Sequence, residues 1–540
     1  MNSIKRSLAG ILTLVLLLVP ALTVCLAEDG PITPFEQKIV VNLMREVDPG
    51  IWFPEGEDFQ DNVLTDFYEE KLNIEYVVKW LVERGRFGEQ LDLAIASDDL
   101  PDMFEVNQYQ LNRLARAGQI QPLDEVYEQY ASENLRAVLG YNDNMFFKPA
   151  TYDGRVYGLP VTDDFANCVP LLWIRQDWLD ALELQAPKTF DEMVAVAKAF
   201  MAADFDGNGI DDTVGLALDN SLWANFKGLV CIFGHVTDMW VPDGNGNLVY
   251  SDTMPEMKEA LAKLQTLYLD GIIDPEFAVK DWTKMTELVV AERCGMAIEP
   301  FYYPLNDPVK SKAANPKAEW NSFPIPKDYE GDYRVSANSP CGRYLVVRQG
   351  FKYPEAAIKG NNLWYELWRG EYAEYYHGLN LGAYAGAGES FKGYPPFWFD
   401  PPLKNREQAF MLFPAWDTRD VAKITHPETM KQWNKMTNYY DNGDEADLVG
   451  WYHLPLFQAF TTIEENYGAP ENLVYDAYQG PATQTIASLR PLVDKVRYEG
   501  LIKFMMGESL DNFDAFVADW NNVGGTEYAA EVNAWYHANK

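Results

Sequence analysis

Histidine and cysteine are scarce in this chain, with five of each in 540 residues. The cysteines (Cys25, Cys168, Cys231, Cys294 and Cys341) lie far apart and form no Cys-x-x-Cys pair, which argues against a zinc ribbon or a dithiol redox site. His235, His377, His426, His453 and His537 are equally scattered. No His-Glu-x-x-His and no Gly-x-Ser-x-Gly occurs, so the usual signatures of a zinc protease and of a nucleophile elbow are missing. The Gly-x-Gly at 386–388 is too short to cradle a phosphate. Basic residues are also few: 44 Lys and Arg face 81 Asp and Glu, for a net charge of −37. Such a field repels nucleic acid and anionic lipid, and it favours a neutral or cationic ligand over an anionic one. Beyond the first residues, no apolar run is long enough to cross a bilayer.

The N-terminus carries an export signal. Lys5 and Arg6 precede an apolar run at 11–19, then Pro20 and small residues. Cys25-Leu26-Ala27 before Glu28 fits ordinary cleavage, giving a signal peptide of 1–27. Leu22-Thr23-Val24-Cys25 offers the alternative of lipid attachment at Cys25, although Val24 is bulky for that position. The expected location is therefore the outer face of the cytoplasmic membrane or the medium. Aromatic residues make up 14% of the chain, more than one core needs, so some of them are expected to line a cleft.

The most specific short motif is Asp204-Phe-Asp-Gly-Asn-Gly-Ile-Asp-Asp-Thr213. Oxygen-bearing side chains alternate and a Gly follows where the chain must turn, as in the opening of an EF-hand loop. The expected calcium ligands are Asp204, Asp206, Asn208, the Ile210 carbonyl and Asp212, with Thr213 or water completing the shell. Gly215 stands where the bidentate Glu normally closes the loop, which sets the expected affinity on the order of 10⁻⁴–10⁻³ M. Only one helix pattern precedes the loop, so it is not a paired EF-hand.

Apolar runs at 38–44, 73–79 and 101–106 alternate with helical patterns at 58–72, 87–96 and 108–117. Strand and helix repeated at this spacing predict an α/β fold with parallel-rich sheets. Ligands of such sheets bind beyond the carboxyl ends of the strands. That rule selects Trp52 after the first strand, and Asn107 and Tyr109 after the third. A passage between lobes is expected near 161, placing Asp163, Asp164 and Phe165 at the cleft. Capping boxes at Thr189-x-x-Glu192 and Thr253-x-x-Glu256 open further helices. The expected lobes are 28–160 plus 299–343, and 161–298 plus 344–540. The Gly- and aromatic-rich stretch 382–399 reads as a long loop near the cleft, and Gly524-Gly525 as a helix break.

Five segments in order, Ala96-Ser-Asp-Asp-Leu-Pro-Asp-Met-Phe104, Asp153-Gly-Arg-Val-Tyr-Gly-Leu-Pro160, Trp173-Ile-Arg-Gln-Asp-Trp-Leu179, the loop 204–213 and the stretch 507–520, resemble the family 1 extracellular solute-binding proteins of ABC importers. The resemblance implies a two-lobed periplasmic-binding-protein-like fold of type II, closure around a sugar or oligosaccharide, calcium at the loop, and delivery to a membrane permease. A sugar's C–H face packs on aromatic rings. Trp223, Trp240, Tyr302, Tyr303 and Trp398 therefore join the candidates, and a monomer without enzymatic activity is expected. The alternative is a secreted glycoside hydrolase, with Asp163 and Asp164 as its carboxylate pair.

Overall fold

The computed structural model describes residues 29–47, 53–83, 86–337, 339, 341–379, 381, 393–480 and 482–539. Cys25, Trp52 and most of the expected loop at 382–399 lie outside them.

The first lobe is built on a five-stranded sheet in the order Ile74–Glu83, Ile39–Val47, Met103–Asn107, Cys341–Val347, Leu159–Thr162. The first three strands run parallel, and Cys341–Val347 is antiparallel to both of its neighbours. Period-two alternation sorts the side chains. Ile39, Val41, Leu43, Leu345 and Val347 face one way, under Trp364 and Trp368 of the helix Glu355–Trp368. Met44, Phe104, Val106, Tyr344 and Val346 face the other, against Leu91, Ile95, Leu111 and Leu114 of the helices Phe87–Ser97 and Gln108–Arg116. Both sheet faces are thus covered, as a crossover-connected sheet requires.

The second lobe centres on Leu171–Arg175, a wholly buried strand between Met296–Glu299 and Trp320–Phe323. Both pairings are antiparallel, and isolated parallel bridges such as Ala217 to Ala297 extend the layer. Helices wrap it, among them Phe190–Met201, Pro255–Leu269, Leu448–Asn466 and Gln484–Met505. Arg175 is buried in this core. Its guanidinium takes both oxygens of Asp177 at 2.7 Å and Glu292 at 3.0 Å, so the buried charge is fully paired.

The expected split of the chain differs from the observed one in two places. Trp320–Phe323, assigned to the first lobe, pairs with Leu171–Arg175 in the second sheet. Cys341–Val347 belongs to the first sheet, and Trp364, Trp368, Tyr376, Tyr394, Phe397 and Phe399 after it pack in the first-lobe core. The chain therefore passes between lobes after Thr162, between Phe323 and Cys341, and again near Asp400. An apolar run says that a strand is buried but not which sheet buries it. Two local expectations also shift. Pro255 starts its helix at N1 without a side-chain cap, while Thr253 Oγ1 donates to the Tyr250 carbonyl. Gly524, at φ 128°, lets a π-helical turn join Phe513–Trp520 directly to Thr526–Asn539.

The first and last passages run side by side. Asp400 N donates to Thr162 O at 2.9 Å, Thr162 Oγ1 to Asp400 O at 2.8 Å, and Phe165 N to Pro402 O at 3.0 Å. Asp164 locks them: its two oxygens accept from Ala166 N and Asn405 N, each at 2.9 Å. Burial pushes the Asp164 carboxyl up to about 7, against the pull of those N–H groups and Lys404. Unfolded, the group loses its proton near the ordinary value of 3.8; folded, it loses it near 7. The folded chain thus holds the extra proton between these values. The stability this site contributes is complete below the unfolded pKa and is lost as pH rises through the folded one. We expect the melting-temperature advantage of wild type over Asp164→Asn to shrink as pH is raised from about 4 to about 8. A difference that stays constant across that range would contradict a shifted carboxyl. Asp164→Ala leaves two buried N–H groups without acceptors and should cost about 1–3 kcal/mol for each.

Candidate ligand cleft between the lobes

A cavity of about 350 Å³ opens where the lobes face each other. The first lobe contributes Gln108, Met145, Pro149 and Tyr344; the second contributes Asp238, Met239, Tyr475, Asp476, Tyr478 and Arg490. Local structure explains the placement. Gln108 opens the helix Gln108–Arg116, whose N-cap Asn107 accepts from Gln110 N at 2.9 Å in a reciprocal capping box. On the other side, Asp476 Oδ1 accepts from Tyr478 N at 2.8 Å and Trp240 N at 3.2 Å, which folds 475–478 into a turn presenting its two tyrosines. Burial pushes the Asp476 carboxyl up to about 7. Burial also acts on Asp238, but Arg497, Lys227 and the Tyr250 hydroxyl outweigh it and hold that carboxyl below its usual range. The lobes touch across the gap: Gln108 Nε2 donates to Gly480 O, and Tyr141 Oη to Glu471 Oε1 at 3.2 Å. Arrayed tyrosines with carboxylate, amide and guanidinium groups suit a polar ligand that also carries an apolar face.

A smaller cavity of about 120 Å³ lies at the carboxyl end of Ile39–Val47, walled by Arg45, Glu46, Glu105, Arg343, Phe397 and Trp398. Arg343 Nη1 lies 2.8 Å from Glu105 Oε2.

The candidates chosen from sequence are dispersed. Asn107 and Tyr109 flank Gln108 at the larger cavity, with Asn107 Oδ1 already engaged as a cap. Trp398 lines the smaller one. Asp163 is exposed and accepts from Asn167 Nδ2 at 2.7 Å; Asp164 is spent on the backbone of the lobe passage. Tyr302 is half-buried, its phenol pKa raised by burial and then by Glu299, Cys168 and Asp163. Three aromatics are core residues. Phe165 is buried; Tyr303 is wedged among Trp173, Trp282 and Trp320; Trp240 packs on Tyr250, Trp520 and Tyr528. Trp223 is 36% exposed, away from the cavity lining. Sequence reasoning missed Tyr475, Tyr478 and Arg490. The signal available was the non-helical, aromatic and acidic segment Tyr475-Asp-Ala-Tyr-Gln-Gly480 between two helical patterns.

The acidic loop folds compactly after Phe190–Met201, anchored by Phe205 stacked on Trp178 at 4.1 Å. Positive φ at Asp204, Gly207 and Gly209 turns it on itself. Asp204 oxygens accept from Asn208 N and Gly209 N at 3.1 and 3.0 Å. The Asn208 side-chain amide reaches both Asp206 Oδ2, at 2.6 Å, and Asp212 Oδ1, at 3.3 Å. A donor group thus sits among carboxylates, where a cation would satisfy the same oxygens. Asp212 also pairs with Arg293 at 3.0 Å, the Ile210 carbonyl accepts from Asp212 N at 3.0 Å, and Thr213 is buried.

Residues 52–359 match the bacterial extracellular solute-binding proteins. The chain belongs to that family. Lipoprotein LipO of Bacillus subtilis is 28% identical over 483 residues, which cover 86% of this solute-binding protein and 87% of LipO. Among solved structures, the Streptococcus pneumoniae substrate-binding protein FusA, as an EF-hand mutant in complex with fructo-nystose, superposes with a TM-score of 0.60 at 18% identity, over 93% of this chain and 100% of that one. An HMO-binding, ABC-transporter-associated solute-binding protein of Bifidobacterium longum infantis gives 0.63 at 16% identity, over 93% and 98%. At these identities the two superpositions establish the two-lobed fold.

The burial pattern separates the tryptophans by experiment. Trp240→Ala should cost about 3–5 kcal/mol in denaturant unfolding, while Trp223→Ala should stay within about 1 kcal/mol of wild type. Equal losses would contradict the assignment of Trp240 to the core and Trp223 to the surface.

Proposed function

We propose that this solute-binding protein captures a sugar or oligosaccharide between its lobes and hands it to the permease of an ABC importer. The observation that carries the reading is the inter-lobe cavity, with Tyr475 and Tyr478 facing Gln108 and Tyr344 from the opposite lobe. Its volume of about 350 Å³ is that of a small-ligand site. Tyrosine faces pack against sugar C–H groups, and Gln108, Asp238 and Arg490 supply hydrogen-bond partners for hydroxyls. FusA and the Bifidobacterium protein, both named for saccharide ligands, support the same reading. Ligand touching both lobes favours the closed arrangement, which a permease can distinguish from the open one. No observation favours hydrolysis: Asp164 is a backbone acceptor, and Asp163 bonds its own neighbours.

Within the same proposal, Asn107, Tyr109 and Trp398 border the ligand path, and Asp163 and Tyr302 lie at its margins. Export by the N-terminal signal delivers the protein to the outer face of the cytoplasmic membrane or to the medium, and lipid on Cys25 would be the alternative that holds it at the membrane. Asp204, Asp206, Asn208, Ile210 and Asp212 hold calcium, supported by the contacts that Asp204, Asp206 and Asp212 share with Asn208 and by the EF-hand named for FusA. The ion would act structurally, replacing the Asn208 amide and Arg293 as the partner of these carboxylates.

Two measurements check this. In isothermal titration with the oligosaccharide that binds best from a panel, Tyr475→Ala and Tyr478→Ala should each weaken affinity by about 5–100-fold, the scale of one aromatic platform; unchanged affinity in both would remove this cavity as the site. Adding calcium at about 10 mM to chelator-treated protein should raise the melting temperature by about 2–3 °C, and Asp206→Ala should abolish the rise. A calcium response that survives Asp206→Ala would contradict the loop assignment.

A further inference from the structure

Two of the five histidines, uninformative in sequence, are brought together by the fold. His377 lies in the short helix Ala373–Gly378, which packs through Tyr376 into the first-lobe core. His426 is the N-cap of Pro427–Tyr440, Glu428 lies in its first turn, and Trp433 and Met436 of that helix enter the second-lobe core. One ligand-capable atom from each of His377, His426 and Glu428 lies within 4.8 Å of the other two. The rings of His377 and His426 meet edge to face at 5.3 Å.

Two features separate this cluster from an ordinary buried histidine pair. His426 is 8% exposed, yet neither ring nitrogen makes a hydrogen bond of good geometry. The Trp368 carbonyl, near enough to act on its charge, is already contacted by His377 Nε2 at 3.0 Å. Leaving a buried imidazole without a partner is costly, and a cation in the cluster would remove that cost. The outer contacts are also those that support metal ligands. With Nε2 of His377 donating to Trp368 O, its Nδ1 is left for a metal, and Glu428 Oε2 is oriented by Gln408 Nε2.

We propose that His377, His426 and Glu428 form a divalent transition-metal site, filled by zinc, that ties the first lobe to the second. Two imidazoles and a carboxylate are a zinc donor set, with water as the fourth ligand. Donors around tetrahedral zinc stand about 3.4 Å apart, so a contraction of no more than about 1.4 Å brings the cluster to that geometry. The protonation states suit it. Burial holds both imidazoles below their ordinary pKa, His426 at about 4, which leaves lone pairs at neutral pH. Burial opposes the ionised form of Glu428, and the permanent cations Lys404 and Arg369 pull the other way. The neighbouring cations have carboxylates of their own, Arg369 with Glu407 at 2.6 Å and Lys404 with Asp400 at 3.1 Å. Lys431 also lies near Glu428.

The test uses the full chain without a polyhistidine tag, stripped with chelator and titrated with zinc chloride alone, in calcium so that the acidic loop is filled. The expected result is one saturable equivalent per chain. His426→Gln and Glu428→Gln should each weaken it by at least about 100-fold, more than loss of an outer partner brings, with circular dichroism unchanged. Asp206→Ala should leave it intact. Cobalt(II) in place of zinc should give the visible absorption of a four-coordinate site, and His377→Gln should abolish it. Absence of saturable zinc binding by wild type would overturn the proposal, as would binding that survives both His426→Gln and Glu428→Gln.

Discussion

The arrangement depends on how two lengths of chain far apart in sequence are fastened where the lobes meet. Thr162 to Phe165 and Asp400 to Asn405 exchange backbone bonds, and Asp164 accepts from both segments at once. A loop closed between such distant positions gains nothing from local propensity, so its cost must be met by buried bonds with no competing water. Keeping a carboxylate there is unfavourable by solvation. It is retained because its two oxygens satisfy N–H groups that would otherwise be stranded in the same dry place. This fastening holds two of the three passages of the chain together where the lobes meet.

Much of the fold was legible in sequence because its signals are local. The alternation from 38 to 117 gave the strands and helices of the first lobe within a few residues, and Thr189 does cap its helix, accepting from Glu192 N at 3.2 Å. Sheet membership was not legible. Trp320–Phe323 is half polar and Cys341–Val347 turns apolar only from Tyr344, and which partner strand receives each is decided by topology. The rule that placed ligands after parallel strands led to Asn107 and Tyr109, one residue either side of Gln108 in the cavity. The aromatic candidates failed to separate because a tryptophan signals burial as strongly as it signals binding. Trp240 sits in a core while its neighbours Asp238 and Met239 line the cavity.

Charge behaves differently at the two scales. The net excess of acid argued for a neutral or cationic ligand. Locally, however, Arg490 faces the larger cavity and Arg45 and Arg343 the smaller, so each offers donors to hydroxyl or carboxylate oxygens. The histidines show the same contrast between sequence and space. Distant in the chain and unremarked by any motif, His377 and His426 arrive from opposite lobes at one buried point, close to the third passage of the chain. A metal held there and a solute held in the cleft would act on the same relative placement of the lobes.

Two lobes that clamp a solute must retain it whole. Native mass spectrometry of the protein after prolonged incubation with an oligosaccharide panel addresses this in one spectrum. Capture without chemistry gives a single one-to-one complex at the mass of the intact saccharide, unchanged over time. Shortened saccharides accumulating in the spectrum, or a protein that retains no saccharide at all, would contradict it.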